Sequence, residues 1–172
     1  MCSATVDKGR FSTMIIQNRI RREASMIEGA TTERNRIVVH FKDGRLLKGF
    51  THDFTPVKDT FHLTSELEHD KGKIYEVFCP NLKAIFFVKT LEGNVDYKEK
   101  KRFEEVDTSN LRGIKIKIEF NDGEVMCGIS LGYSKNRKGF FIVPVDPKSN
   151  NERVYVIASS VKEVRLGSAA EQ

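Results

Sequence analysis

The sequence contains no tryptophan, and none of its apolar stretches approaches the roughly 18 uncharged residues of a membrane-spanning helix. We therefore expect no membrane span. Hydrophobic residues make up 39% of the 172 residues, and the chain has 12 phenylalanines, which is too much apolar content for a disordered chain. The composition predicts a folded protein with a real core, long enough for one ordinary domain or two small ones.

Cysteine is also scarce: Cys2, Cys79 and Cys127 are odd in number and widely spaced. They form no CxxC pair and no disulfide framework, so we expect free thiols in a reducing compartment. The apolar run Met14-Ile15-Ile16 is too short for the core of a signal peptide. These features predict a cytoplasmic protein.

The short motifs of common catalytic sites are missing as well. The chain has no P-loop, no GxGxxG, no HExxH and no GxSxG. His40, His52 and His62 lie in strand-like stretches, but the related second segment described below has other residues at those positions, so a metal site would not be duplicated. We expect no enzymatic activity, no metal and no cofactor.

Residues 37–63 align without a gap with residues 116–142. The residue numbers differ by a constant 79, and we call this difference the repeat offset. Beyond them, a one-residue insertion places Ile74-Tyr75 on Val154-Tyr155. Because the matches fall at turns and on one face, the sequence predicts a tandem duplication. The identical pairs are Ile37/Ile116, Phe41/Phe120, Asp43/Asp122, Gly44/Gly123, Gly49/Gly128 and Phe61/Phe140.

Each copy has the pattern of short β-strands. Ile37 and Val39 alternate with polar or outward positions, Asp43-Gly44 is a two-residue hairpin signal, and Gly49 permits a bend. Five short strands cannot bury a flat sheet, so closure into a small barrel is favoured. We expect a mainly β fold of two tandem five-stranded barrels, preceded by an N-terminal helix over 12–27 or an extension.

The net charge of +5 is distributed unevenly along the chain. It is +3 over 1–36, zero over 37–95 and 96–112, and +2 over 113–172. The excess therefore belongs to an N-terminal arginine cluster and one loop of the second copy. The expected divisions are a partly helical basic extension (1–36), a first barrel (37–95), a charged linker (96–112), a second barrel (113–167) and a tail (168–172).

Each copy has a strand, then Asp-Gly, then a glycine-containing strand and an aromatic bend. This order resembles the first half of an Sm-like domain, a small SH3-like barrel. The later segments Ile74–Phe78 and Leu82–Val88 are similar to its second half. This resemblance implies RNA or single-stranded nucleic-acid binding through basic and aromatic residues. In this chain Tyr133, Lys135, Arg137 and Lys138 are the candidates, and they could equally contact another anionic ligand.

A second resemblance is to PilZ domains, barrels that bind cyclic di-GMP through an arginine arm and a short turn. Gln17-Asn18-Arg19-Ile20-Arg21 fits the arm pattern, and Asp53 and Thr55 fit part of the turn, which has Lys58 where the family has glycine. Arginine side chains hold phosphates and guanine edges bidentately. The resemblance implies a cyclic-dinucleotide site with the residues Gln17, Arg19, Arg21, Arg22, Asp53 and Thr55.

The chain as a whole also resembles uncharacterised bacterial proteins with tandem copies of such barrels, through segments 82–94 and 139–157. We therefore predict a non-enzymatic regulatory or adaptor module of two duplicated barrels, with an unknown protein partner or an anionic ligand. A PilZ-like cyclic di-GMP sensor and an Sm-like RNA-binding protein are the alternatives. The sequence leaves the ligand and the oligomeric state open.

Overall fold

Ten antiparallel β-strands join edge to edge into one open sheet in this computed structural model, which describes residues 34–130 and 132–172. Over these residues the structure has no α-helix, only short 3-10 helices at Cys79–Asn81, Phe103–Glu105, Ala158–Ser160 and Gly167–Glu171. The strands are β1 (Asn35–Phe41), β2 (Leu46–Thr51), β3 (Thr60–Ser65), β4 (Ile74–Phe78), β5 (Leu82–Val88), β6 (Ile114–Phe120), β7 (Val125–Ser130), β8 (Gly139–Pro144), β9 (Asn151–Ile157) and β10 (Val161–Leu166).

The strand order is β10-β6-β7-β8-β9-β5-β1-β2-β3-β4. We call β1–β5 the first half and β6–β10 the second half. The two halves meet where β5 pairs antiparallel with β9, with Ile85 opposite Tyr155 and Phe87 opposite Arg153. We call this pairing the central junction.

The central junction overturns the expectation of two closed five-stranded barrels, which was wrong although the mainly β class was right. In each half the fifth strand pairs with the first, and β5 gives its other edge to β9 rather than to β4. The reason lies in β5, whose seven residues are all buried. A strand that is apolar on both faces must be covered on both sides, and a second half supplies that cover. The predicted N-terminal helix lies outside the described residues.

The strand registers of the two halves are related throughout by the repeat offset. Ile37 pairs with Gly49 in the first half, and Ile116 pairs with Gly128 in the second. The one-residue insertion expected before the fourth strand is wrong, because the pairs Leu63–Tyr75 and Ile142–Val154 keep the same offset. Even the bulge repeats: Lys83 and Lys162 are each left out of the pairing with the first strand of their half.

Glycine is required at two kinds of place in this fold. Gly44 and Gly123 have φ of +88° and +86° in the two predicted Asp-Gly turns, a conformation that residues with a side chain rarely adopt. In the strands, a Cβ added to Gly49 would lie 2.0 Å from the carbonyl oxygen of Thr64. A Cβ on Gly128 would lie 2.4 Å from the carbonyl oxygen of Val143. At these two positions glycine permits close backbone approach.

The core has two main clusters, and β5 contributes to both. Ile85 and Phe87 pack into the cluster of the first half, whereas Ala84, Phe86 and Val88 pack into that of the second half. Tyr155 and Ile157 of β9 pack in turn into the first cluster. The two halves therefore share apolar side chains across the central junction.

The segment predicted as a charged linker is anchored to the second half. Asp146, itself buried, accepts a hydrogen bond from the hydroxyl of Tyr97 (2.7 Å) and another from the backbone N–H of Lys100 (2.9 Å). Phe103 is buried in a third cluster together with Cys127, Ile129, Val145 and Ala170. Cys79 and Cys127 are free thiols and are buried. No helix among the described residues is long and apolar enough to cross a membrane.

Candidate functional site

Four of the residues predicted to bind a cyclic dinucleotide, Gln17, Arg19, Arg21 and Arg22, lie outside the described residues. Asp53 lies in the loop after β2, where its carboxylate accepts hydrogen bonds from the backbone N–H (2.9 Å) and the ring Nδ1 (2.7 Å) of His62. Burial raises the pKa of Asp53, but the hydrogen bonds from His62 and Thr51 together lower it by more, so the net shift is downward. This carboxylate is therefore engaged within its own half.

Thr55, two residues further along the loop, is partly buried. Within the part of the chain that the structure describes, its Oγ1 is buried without a hydrogen-bond partner. The hydroxyl is thus not engaged by Asp53, whose other contact is the hydroxyl of Thr51 at 3.3 Å. The sequence-predicted turn exists as a loop, but its two polar residues do not act together.

The four residues of the predicted anionic-ligand loop are divided between two cavities. The ring of Tyr133 stands edge-on to that of Phe140, 4.8 Å between centroids, and Tyr133 and Lys135 line a cavity beside β10. Arg137 and Lys138 line a different cavity, at the central junction. The structure therefore splits this predicted cluster into two pairs.

The cavity at the central junction has a volume of about 950 Å³, and we call it the junction groove. One wall is the loop after β2, at Pro56 and Val57. The floor is the face of β8 and β9 that carries Phe141, Arg153 and the buried Tyr155. Residues of both halves are therefore needed to build the groove.

Aromatic rings form the apolar base of the groove. Phe141 and Tyr155 lie 5.0 Å apart between ring centroids, and Tyr155 stands edge-on to Phe54 at 5.1 Å. Phe87 lies behind them, 5.9 Å from Phe141. Tilted and edge-on rings at these distances attract one another, so the base is a packed and ordered surface. A flat apolar group could stack against it.

Arg153 places a positive charge on this base. Its guanidinium carbon lies 4.5 Å from the ring centroid of Phe87 and 5.2 Å from that of Phe141. Such stacking holds the planar guanidinium while its N–H donors stay free to bind an oxygen anion. Among the described residues no carboxylate forms an ion pair with Arg153 or with Arg137, which also lines the groove. The groove therefore carries two cations without a protein counter-ion in that part of the chain.

Lys138, by contrast, is already paired: its amine lies 2.7 Å from the carboxylate of Asp59. This pair stands beside a second cavity of about 420 Å³, which Lys138 and Asp59 also line. The repeat offset relates Asp59 to Lys138, so equivalent places of the two halves face each other here. Lys42 likewise bridges two equivalent positions, since its amine lies 2.8 Å from both the carbonyl oxygen of Pro80 and the hydroxyl of Ser159.

Arg153, Phe141 and Tyr155 were not among the sequence-predicted site residues. A signal for them was present in the repeat offset. At the equivalent positions the first half has Ile74, His62 and Glu76, so the two halves carry residues of different chemistry at all three places. A face that differs in this way between two similar halves is one that the halves use differently.

No group of three or more His, Cys, Asp or Glu among the described residues could hold a metal ion. The groove instead supplies aromatic rings and guanidinium groups, which bind planar and anionic groups through stacking and charge-assisted hydrogen bonds.

Comparisons with known proteins give a family and nothing further. A family model described as "Family of unknown function (DUF6982)" matches residues 33–168, a range that includes all ten strands and the junction groove. No curated protein matches the chain, and no solved structure matches it.

Proposed function

The chain belongs to DUF6982, a family of unknown function, and we propose a function from the geometry of the junction groove. We propose that the protein is a non-enzymatic binding module for an anionic ligand with a flat apolar body. The observation that carries this proposal is Arg153, which is stacked on Phe87 and Phe141 at the base of the groove. A ligand ring would lie against Phe141, which Tyr155 supports from below, and its anionic group would meet Arg153 and Arg137.

The size and chemistry of the groove support this proposal. Its volume of about 950 Å³ falls in the range of pockets for small organic ligands. Most of its lining is apolar, with a few polar groups that would orient the ligand, which is the usual composition of such sites. Cyclic di-GMP and short RNA, the ligands predicted from the sequence, both combine phosphates with flat bases and remain candidates within this class.

We further propose that the two halves arose by duplication and that the protein serves as a regulatory or adaptor module. The strand registers, which keep the repeat offset from one half to the other, support the duplication. The position of the groove supports the regulatory role, because its walls come from both halves. A ligand there would bind the halves together and so bias how they pack.

A fluorescence titration with anilinonaphthalene sulfonate, a flat apolar anion, tests the proposed function. We expect saturable binding at one site, and about tenfold weaker binding in Arg153→Gln, because one charge-assisted contact to the sulfonate is lost. Arg36→Gln removes the same charge from an exposed position on β1 that does not line the groove, and it should bind like the wild type.

Competition then separates the ligand classes. Displacement of the probe by cyclic di-GMP assigns the groove to cyclic dinucleotides, and displacement by a short single-stranded RNA assigns it to nucleic acid. Equal binding of the probe by wild-type protein, Arg153→Gln and Arg36→Gln would contradict the proposed site, since the probe would then bind without the groove arginine.

A further inference from the structure

Within the described part of the chain, the sheet ends at two strands that have one strand neighbour each, β4 and β10. The outer edge of such a strand carries backbone N–H and C=O groups that another strand can pair with. On β4 the side chains of Ile74, Glu76 and Phe78 are also exposed. Leu166 is an exposed apolar residue at the end of β10.

These two edges are the counterparts of the two strands that already pair at the central junction. The repeat offset relates β4 to β9 and β5 to β10, as the matching registers show. The central junction therefore joins a fifth strand to a fourth strand. Among the described strands, the sheet ends in a fourth strand, β4, and a fifth strand, β10, each with one unpaired edge.

We propose that β4 of one copy pairs antiparallel with β10 of a second copy, and so repeats the central junction between molecules. The register follows from the repeat offset. The pair Ile85–Tyr155 of the central junction becomes Val164–Glu76, and Phe87–Arg153 becomes Leu166–Ile74.

Two exposed apolar side chains fit this register. Ile74 is 65% exposed and Leu166 is 38% exposed, and the derived pairing places them directly opposite each other. Facing side chains in an antiparallel pair lie close enough to exclude water from one another. The pairing would thus cover both residues and would satisfy the backbone groups of both edges.

The outer pairing is more polar than the central junction, and this makes it reversible. Where β5 carries Ala84 and Phe86, β10 carries Glu163 and Arg165, whose side chains form an ion pair with each other at 2.9 Å. Charged residues on an edge strand weaken strand-to-strand association. The halves of one chain are therefore joined more tightly than two copies, and copies associate in a concentration-dependent way.

The proposed interface is head-to-tail, since it joins two different edges. A pair of copies joined in this way still has one free β4 and one free β10. Association consequently continues beyond the dimer. It gives either a closed ring of copies or an open chain of copies. A symmetric dimer through two β4 edges or two β10 edges is a different arrangement, and it can be distinguished by mutation.

Sedimentation velocity on the full chain over a range of concentrations tests the proposal. We expect the average mass of the wild type to rise above the 19.6 kDa of one chain as concentration rises. Ile74→Lys and Leu166→Lys should each weaken association about tenfold, because each buries an unpaired charge. The combination of Ile74→Lys with Leu166→Glu should restore association, because opposite charges then face each other.

Leu46→Lys is the matched control: Leu46 is 47% exposed but lies on β2, away from both edges, and this variant should associate like the wild type. A wild type that stays at one chain mass at every concentration would overturn the proposal. A dimer that weakens with only one of the two edge variants would overturn it too, because that response belongs to a symmetric interface.

Discussion

The amine of Lys83 lies 2.5 Å from the Oδ2 atom of Asp122, and this contact joins the two halves of the protein. Glu124 binds the same amine, and the ring of Phe120 lies beneath it at 4.5 Å. The Lys83 side chain is only 11% exposed. Burial lowers the pKa of Lys83, but hydrogen bonds to Asp122 and Glu124 raise it more, so the amine stays charged.

Replacing Lys83 by alanine should therefore weaken the contact between the halves. We expect Lys83→Ala to lower the free energy of unfolding by about 2 kcal/mol, through the loss of two charge-assisted hydrogen bonds and of packing on Phe120. Urea denaturation measures this change. Lys162, at the equivalent position, binds Glu119 but is 63% exposed, and Lys162→Ala should cost less than about 1 kcal/mol. Equal losses in the two variants would be inconsistent with a buried contact at Lys83.

Two glycines should resist substitution for the same reason in both halves. In Gly49→Ala and Gly128→Ala the new Cβ meets a backbone carbonyl of the neighbouring strand, so the strands must separate. We expect each change to cost about 3 kcal/mol of unfolding free energy, measured by thermal or urea denaturation. A Cβ on Gly132 has nothing within 4 Å, so Gly132→Ala should be nearly neutral. A stable Gly49→Ala variant would mean that the strands do not approach so closely.

Asp146 should make the protein sensitive to acid. Burial raises its pKa, but hydrogen bonds from the backbone of Lys100, the hydroxyl of Tyr97 and the backbone of Lys148 lower it below the usual range. A carboxyl group with a lowered pKa stabilises the fold above its unfolded pKa of about 3.9, and this stability is lost as the pH falls through the folded pKa.

The variant Asp146→Asn should accordingly be less stable at pH 7 by about 2 kcal/mol, and its difference from the wild type should shrink between about pH 5 and pH 2. Urea denaturation at a series of pH values gives this profile. Asp96→Asn, at an exposed position of the same linker, should keep the wild-type profile. If both variants matched the wild type, Asp146 would not anchor the linker.

Local features of this fold were predictable from the sequence. The Asp43-Gly44 and Asp122-Gly123 turns form at the expected places, with a positive φ at each glycine. The loops have three residues rather than the expected two, because neither aspartate has the positive φ that the predicted two-residue turn needs. The strands on either side follow from their alternating pattern. Such features depend on neighbouring residues, which a single sequence shows directly.

The central junction was not predicted, because it joins residues about 70 positions apart in the chain. From the sequence, each of the two strands could equally have paired with another strand of its own half. Yet β5 and β10 differ in a way that the sequence shows. Leu82–Val88 is apolar almost throughout, whereas Val161–Leu166 has Lys162, Glu163 and Arg165 between its apolar residues. A continuous apolar strand is typical of a sheet centre, and a charged strand is typical of an edge.

The candidate site was predictable only in part. Arg137 and Lys138 line the junction groove, but Tyr133 and Lys135 line a different cavity. Arg153 was missed because its importance comes from Phe87, which β5 brings beside it across the central junction. A site formed by a non-local pairing is not visible in the sequence of either partner.

The central claim, that the junction groove binds a flat anion, is tested most directly by mapping backbone amide shifts by NMR during titration with anilinonaphthalene sulfonate. We predict that the largest shifts occur at Phe141, Arg153 and Tyr155 and that they saturate together with the fluorescence signal. Saturating shifts centred on Tyr133 and Lys135, with the amides of β8 and β9 unchanged at the groove, would contradict the claim.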